Sequence, residues 1–282
     1  MNAPSTPMSP ARGRFFVLDG VDGCGKSTQA RRLVEALAST RGGEQPPPAK
    51  QVREPPSPVS SATVTPGTVP TAPSPSSPSA VSSTPANSPS SQSLDSAHAV
   101  PHSSANPPLH LLTPLHLREP GSTALGEKLR TLLLSRGPHI TPRVETLLFA
   151  AARAQMLAEL VEPALVAGRH VVCERFHPST FAYQAVAGGL PEREVLDLLE
   201  HWAGTPSPDL VILLTLPPEI AARRRGRNTD RIEDKGLEFQ RRVALGYMRY
   251  AELARNCVTI DGARDEDAVA LDVLAEVRRA LH

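Results

Sequence analysis

Along most of this 282-residue chain, apolar β-branched runs alternate with stretches whose apolar residues recur every three or four positions. Arg14–Asp19, Leu115–Leu117, His170–Cys173, Leu210–Leu216 and Cys257–Asp261 read as strands. Between them, Gln29–Ala38, Leu125–Ser135, Val144–Ala167, Glu192–Trp202, Leu237–Arg255 and Asp265–Leu281 carry helical spacing. The alternation predicts an α/β fold, a parallel sheet of about five strands with helices on both faces. Such sheets take ligands beyond the carboxyl ends of their strands, so functional residues are expected just after each run.

The pattern fails over residues 44–114. That span holds 17 of the 30 prolines and no Phe, Trp or Tyr, with Ser, Thr and Ala filling most of the rest. So few large apolar groups cannot offset the entropy of ordering the segment, and it reads as a disordered insertion, as residues 1–11 read as a disordered tail. Residues 12–43 and 115–282 then form a single domain. The insertion leaves from the end of the first helix, so it is expected to emerge at the rim opposite the site, and deleting Gln45–Thr113 should leave turnover within a few-fold.

A net charge of +1 gives no global basic field, and neither nucleic acid nor a membrane is an expected partner. No apolar run approaches the length of a membrane-spanning helix, and the N-terminus lacks the apolar core of a secretion signal. Three cysteines, Cys24, Cys173 and Cys257, are odd in number and far apart, which fits a reduced, cytoplasmic setting. Charge must act locally, in a pocket.

Gly20-Val21-Asp22-Gly23-Cys24-Gly25-Lys26-Ser27 matches the phosphate-loop pattern GxxxxGK[ST], between a strand run and a helical pattern that Thr28 leads into. Glycines there let the backbone aim its N–H groups at a triphosphate, and the helix adds its positive end. Lys26 is placed to reach the β and γ phosphates, and the Ser27 hydroxyl to ligate Mg²⁺. Arg118 and Arg175 end adjacent strand runs, where guanidinium forks suit a second anion, the phosphate of an acceptor. Glu174 also ends a strand, where a carboxylate can orient a metal-bound water. Phe149 and Arg153 are four residues apart and share a helix face.

With Arg118-Glu119-Pro120-Gly121, Leu147-Leu148-Phe149-Ala150-Ala151-Ala152-Arg153-Ala154-Gln155, Glu174-Arg175 through Ala182-Tyr183-Gln184, and Asp230-Arg231-Ile232-Glu233, the chain resembles bacterial thymidylate kinases. The resemblance implies ATP-dependent phosphorylation of dTMP with Mg²⁺, a homodimer, and a phosphate-loop sheet with a mobile lid over 223–235. It further implies that Phe149 stacks on thymine and Arg153 bonds its carbonyl edge. Thr180, Tyr183 and Gln184 would wall the sugar and base, and Asp22 would face the sugar hydroxyl or the metal shell. No arginine occupies the loop's variable positions, which in this family places the catalytic arginine in the lid, with Arg225 and Arg227 the leading candidates. Arg223, Arg224 and Arg231 accompany them in a segment whose self-repulsion favours motion until an anion binds.

Several residues depart from the family pattern: Asp19 for Glu, Ser122 for the second glycine of REPGGT, Ala152 for the Asp before Arg153, and Glu174 for Asp. Arg53-Glu54-Pro55 echoes Arg118-Glu119-Pro120, and the second is the expected site element because strand and helix patterns flank it. Two other readings stay open, a phosphate-loop kinase with a different acceptor and a non-catalytic switch. Against the switch, no [NT]KxD guanine-reading element occurs.

Overall fold

The computed structural model describes residues 12–40, 113–137, 139–225, 232 and 235–282. The expected tail over 1–11 lies outside the described residues, as does the expected insertion over 44–114 apart from Thr113 and Pro114. The same holds for Arg227, Arg231, the Arg225 side chain and the Arg53-Glu54-Pro55 echo.

Five strands form one sheet in the order β2-β3-β1-β4-β5. They are β1 (Phe15–Gly20), β2 (Leu115–Arg118), β3 (Val171–Glu174), β4 (Leu210–Thr215) and β5 (Cys257–Asp261), every pairing parallel. β1 is buried throughout, as a continuous apolar run demands in a sheet covered on both faces. Its neighbours are β3 on one side and β4 on the other, so the strand order reverses there and opens a crevice at the carboxyl end of β1.

Helix α1 (Lys26–Thr40) packs with α9 (Glu266–Leu281), whereas α8 (Gly236–Leu253) packs with the helical segment that follows β3. The crossovers from β1 and from β4 run in opposite directions along the sheet, and a common right-handedness sends their helices to opposite faces. α2 (Ala124–Leu134) lies against α3 (Pro142–Met156), and α3 against α6 (Glu192–Ala203). Phe15, Phe16, Phe176 and Phe181 are fully buried in the core, each worth about 1.5–3 kcal/mol of burial.

Two elements differ from the periodicity. The run expected as one helix over Val144–Ala167 starts earlier, with Pro142 at its first turn, and passes through a π-helical turn (Leu157–Val161) into α4 (Glu162–Val166). Pro163 has no N–H to offer there, and a π turn accommodates the break. The motif after β3 is helical throughout, α5 (His177–Thr180) continuing into a second π turn (Phe181–Val186). α8 presses against that turn at Gly246, where a Cβ would sit 2.7 Å from the Ala182 Cα. Only glycine permits that approach. A short helix, α7 (Pro218–Arg225), carries the chain from β4 toward the expected lid.

Candidate active site

At the carboxyl ends of β1, β2 and β3 lies a cleft of about 660 Å³. Among the residues lining it are Asp22, Gly23, Gly25 to Thr28, Arg118, Glu119, Phe149, Arg153, Glu174, Arg175, Thr180, Tyr183 and Gln184. Of the sequence-expected site residues with described side chains, Gly20, Val21 and Cys24 do not line it. Gly20 ends β1, and Val21 and Cys24 are buried beneath the loop.

The loop takes its shape from glycine. Gly20, Gly23 and Gly25 have φ of 141°, 89° and 94°, open only to a residue without Cβ. Lys26 Nζ donates to Asp22 Oδ1 at 3.0 Å and to the Val21 carbonyl at 3.4 Å. Asp22 also receives Arg175 Nη2 on Oδ1 and the Tyr183 hydroxyl on Oδ2 at 3.0 Å. Burial pushes the Asp22 carboxyl upward, but the charges of Arg175 and Lys26 outweigh it and hold the group well below the usual carboxylate range. The two cations expected from sequence to hold the donor's and the acceptor's phosphates thus share one anion.

Arg175 has φ of 68°, a left-handed conformation that a side chain rarely adopts, and its guanidinium is fixed from several sides. Nη1 donates to Ser179 Oγ at 2.9 Å and to the Tyr247 hydroxyl at 3.4 Å. Arg118, across the cleft on β2, is more than half exposed and contacts Glu127 at 3.4 Å. Ser122, at the glycine position of the family pattern, also stands at positive φ, 67°. Its hydroxyl offsets that strain by donating to the Arg118 carbonyl and accepting from the Arg118 N–H.

The Ser27 hydroxyl donates to Glu174 Oε2, and His116 Nε2 meets Glu174 Oε1 at 2.9 Å. Burial raises the Glu174 carboxyl, and the His116 and Ser27 hydrogen bonds more than offset it, leaving the group below its ordinary value and anionic. Asp19 is fully buried, and its hydrogen-bond partners among the described residues are donors of the protein. Oδ1 accepts from Gly20 N, Ser179 Oγ and Tyr247, and Oδ2 from Phe176 N and Ser179 N.

Phe149 and Arg153 both line the cleft, although the Arg153 guanidinium lies 4.9 Å over the ring of Phe176 rather than beside Phe149. Arg153 pairs with Glu119, so the partner missing at Ala152 is supplied from the Arg118-Glu119-Pro120 element. Gln184 gives its amide nitrogen to Glu145 at 3.1 Å, which leaves its carbonyl oxygen as the group available to a ligand. Glu145 in turn meets Lys235, at the start of α8, at 3.5 Å. Arg224, at the end of α7, donates to the carbonyls of Gly262 and Ala263. Sequence reasoning assigned no role to Glu119, Ser179, Tyr247 or His116, all of which hold other site residues in place.

A phosphate loop after the first strand of a 2-3-1-4-5 parallel sheet, with arginines facing it across a cleft, defines a phosphate-loop nucleotide kinase. The thymidylate kinase family profile matches residues 112–273. A thymidylate kinase of Dinoroseobacter shibae is 33% identical over 273 residues, 94% of this chain and 96% of that protein. Those of Chromobacterium violaceum and Chlamydia muridarum are 42% and 45% identical, over 58% and 48% of this chain and 79% and 68% of their own lengths. The chain belongs to the thymidylate kinase family.

Proposed function

We propose that this chain transfers the γ-phosphoryl group of ATP to dTMP, giving ADP and dTDP, in the cleft beyond β1 to β3. The observation that carries the reading is the shared carboxylate: Asp22 holds Lys26 and Arg175 together, one at each end of the path a phosphoryl group would take. Phosphoryl transfer needs charge neutralisation and in-line placement more than covalent help. The loop from Gly20 to Thr28 would cradle the donor phosphates, with Lys26 leaving Asp22 for the β and γ oxygens. Arg175 and Arg118 would clamp the phosphate of dTMP, Phe149 would stack on the base, and Arg153, Thr180, Tyr183 and Gln184 would enclose it.

Mg²⁺ fits the oxygen donors present, with Ser27 Oγ as a direct ligand and Glu174 acting through water, and the nucleotide phosphates as its main support. Bound there, the ion would neutralise charge on the β and γ phosphates. The transition-state cation is assigned to the lid, to Arg225 or Arg227, and replacing the one that serves with Ala should lower turnover about 10³-fold. A homodimer is also inferred. Leu125 and Leu132 on α2, with Val144 and Leu147 on the adjacent α3, each expose more than two fifths of their surface, an apolar face suited to a partner. Among the described residues no helix is long and apolar enough to cross a membrane, and the three cysteines are unpaired, which supports a reducing, cytoplasmic setting.

Coupled measurement of ADP release tests the reaction. Release should require an acceptor and favour dTMP over dUMP, dCMP and thymidine. Equal release without any acceptor would mark a nucleotide switch, and preference for another acceptor would replace dTMP.

A further inference from the structure

Arg153 is 1% exposed, yet its contacts are lopsided. Nε donates to both carboxylate oxygens of Glu119, at 3.1 and 2.7 Å, and Nη2 donates to Thr180 Oγ1 at 3.0 Å. The face of the guanidinium rests on the Phe176 ring. Nη1 is buried and has no partner among the described residues, on a side chain that lines the same cleft as Phe149. A guanidinium offers donors and no acceptor, so the atom that satisfies Nη1 must itself be an acceptor.

We propose that Glu119 is a positioning residue for acceptor specificity: it fixes Arg153 so that Nη1 alone is presented to the base, where a carbonyl oxygen is accepted and an exocyclic amino group is refused. The proposal rests on the reading of the cleft as a pyrimidine monophosphate site. Glu119 is 5% exposed, and the neighbour at Ala152 brings no charge, so among the described residues the carboxylate paired with Arg153 is that of Glu119. Burial pushes the Glu119 carboxyl up to about 7, and the Arg153 charge and hydrogen bond oppose the rise. Removing the negative charge frees the guanidinium to turn on its long stem, and the unsatisfied donor no longer points to one place. The role proposed for Glu119 is exercised through Arg153, to which both its carboxylate oxygens are bonded.

The test compares kcat/KM for dTMP and dCMP in the parent, Glu119→Gln, Arg153→Met and the double variant, with ATP kinetics measured in parallel. Parent enzyme that prefers dTMP establishes the underlying site reading first, so a failure of that reading shows before any variant is made. Glu119→Gln should raise the KM for dTMP about 10- to 100-fold, the scale of a positioning error near 1 Å, while the KM for ATP stays unchanged. The dTMP to dCMP ratio should fall by a similar factor. Adding Glu119→Gln to Arg153→Met should cost nothing further, because the residue through which Glu119 acts is already gone. Additive losses, or a drop shared equally by dTMP, dCMP and ATP, would overturn the proposal. Should Glu119→Gln fail to fold, Thr180→Val loosens the same guanidinium from its other side. An unchanged dTMP to dCMP ratio in that variant would also overturn it, and a lowered ratio would support it.

Discussion

Replacing Asp19 with Asn changes one oxygen of a fully buried carboxylate into an NH₂ group and puts five hydrogen bonds at risk. Oδ2 faces two backbone donors, Phe176 N and Ser179 N, both at 3.0 Å. Oδ1 faces Gly20 N at 2.8 Å and the hydroxyls of Ser179 and Tyr247 at 2.7 and 2.9 Å. An NH₂ on the Oδ2 side would meet two N–H groups that cannot turn. The less costly placement puts it on the Oδ1 side, where the hydroxyls can rotate and only the Gly20 N–H is orphaned. That orphan costs about 1–3 kcal/mol, and the remaining bonds each lose charge assistance worth about 1 kcal/mol. Relief of the buried charge offsets part of this, so the net expected loss is about 2–4 kcal/mol. Equilibrium urea unfolding at neutral pH should show it as a midpoint lowered by about 1 M or more. Because Ser179 and Tyr247 also hold Arg175, kcat/KM for dTMP should fall in the folded variant while ATP binding is retained. A stability change under about 1 kcal/mol would refute the view that this carboxylate organises the start of α5 and the arginine before it.

His177 and the expected insertion yield two more expectations. Burial, reinforced by the Arg153 charge, pushes the His177 imidazole down from its ordinary 6.5 to about 3, so it stays neutral while Nε2 bonds the Ala203 carbonyl. Acidification therefore loads protons onto this side chain in the unfolded chain but not in the folded one. Its contribution is complete above the ordinary histidine value and is lost as pH falls toward about 3, at up to about 1.4 kcal/mol per unit. His177→Gln should flatten the fall in unfolding free energy between pH 6 and 5, and an unchanged slope would remove His177 as its source. Deleting Gln45–Thr113 should leave kcat and the KM for dTMP within a few-fold, because the 15 residues of α1 carry the chain about 22 Å from Lys26 to the amino rim where β2 begins. Inactivity of a folded deletion variant would disprove that separation.

The residues that could be read from sequence are those whose geometry is carried by one continuous segment. β1 and β4 stand where continuous apolar runs placed them, and the phosphate loop follows β1 because glycine spacing and the helix start are both local. The helical motif after β3 was harder, since a proline and three polar residues open it, and its helix is fixed by Asp19, more than 150 residues earlier in the chain. Ala152 shows how far local reading reaches. Arg153 is buried and a buried arginine requires a carboxylate, so without Asp beside it the charge comes from elsewhere, from Glu119. Asp22, Glu119 and Glu174 all sit in cleft motifs and could each have answered. The choice follows from placement: Asp22 is committed to Lys26 and Arg175, and Glu174 to Ser27 and His116. The His116 contact depends on sheet register, with Arg118 opposite Glu174, an alignment that neither strand contains alone. Tyr247 reaches Asp19 only because Gly246 lets α8 close onto Ala182. A glycine in mid-helix, otherwise a weakness of about 1 kcal/mol, was thus the one local sign that a close approach had to occur there.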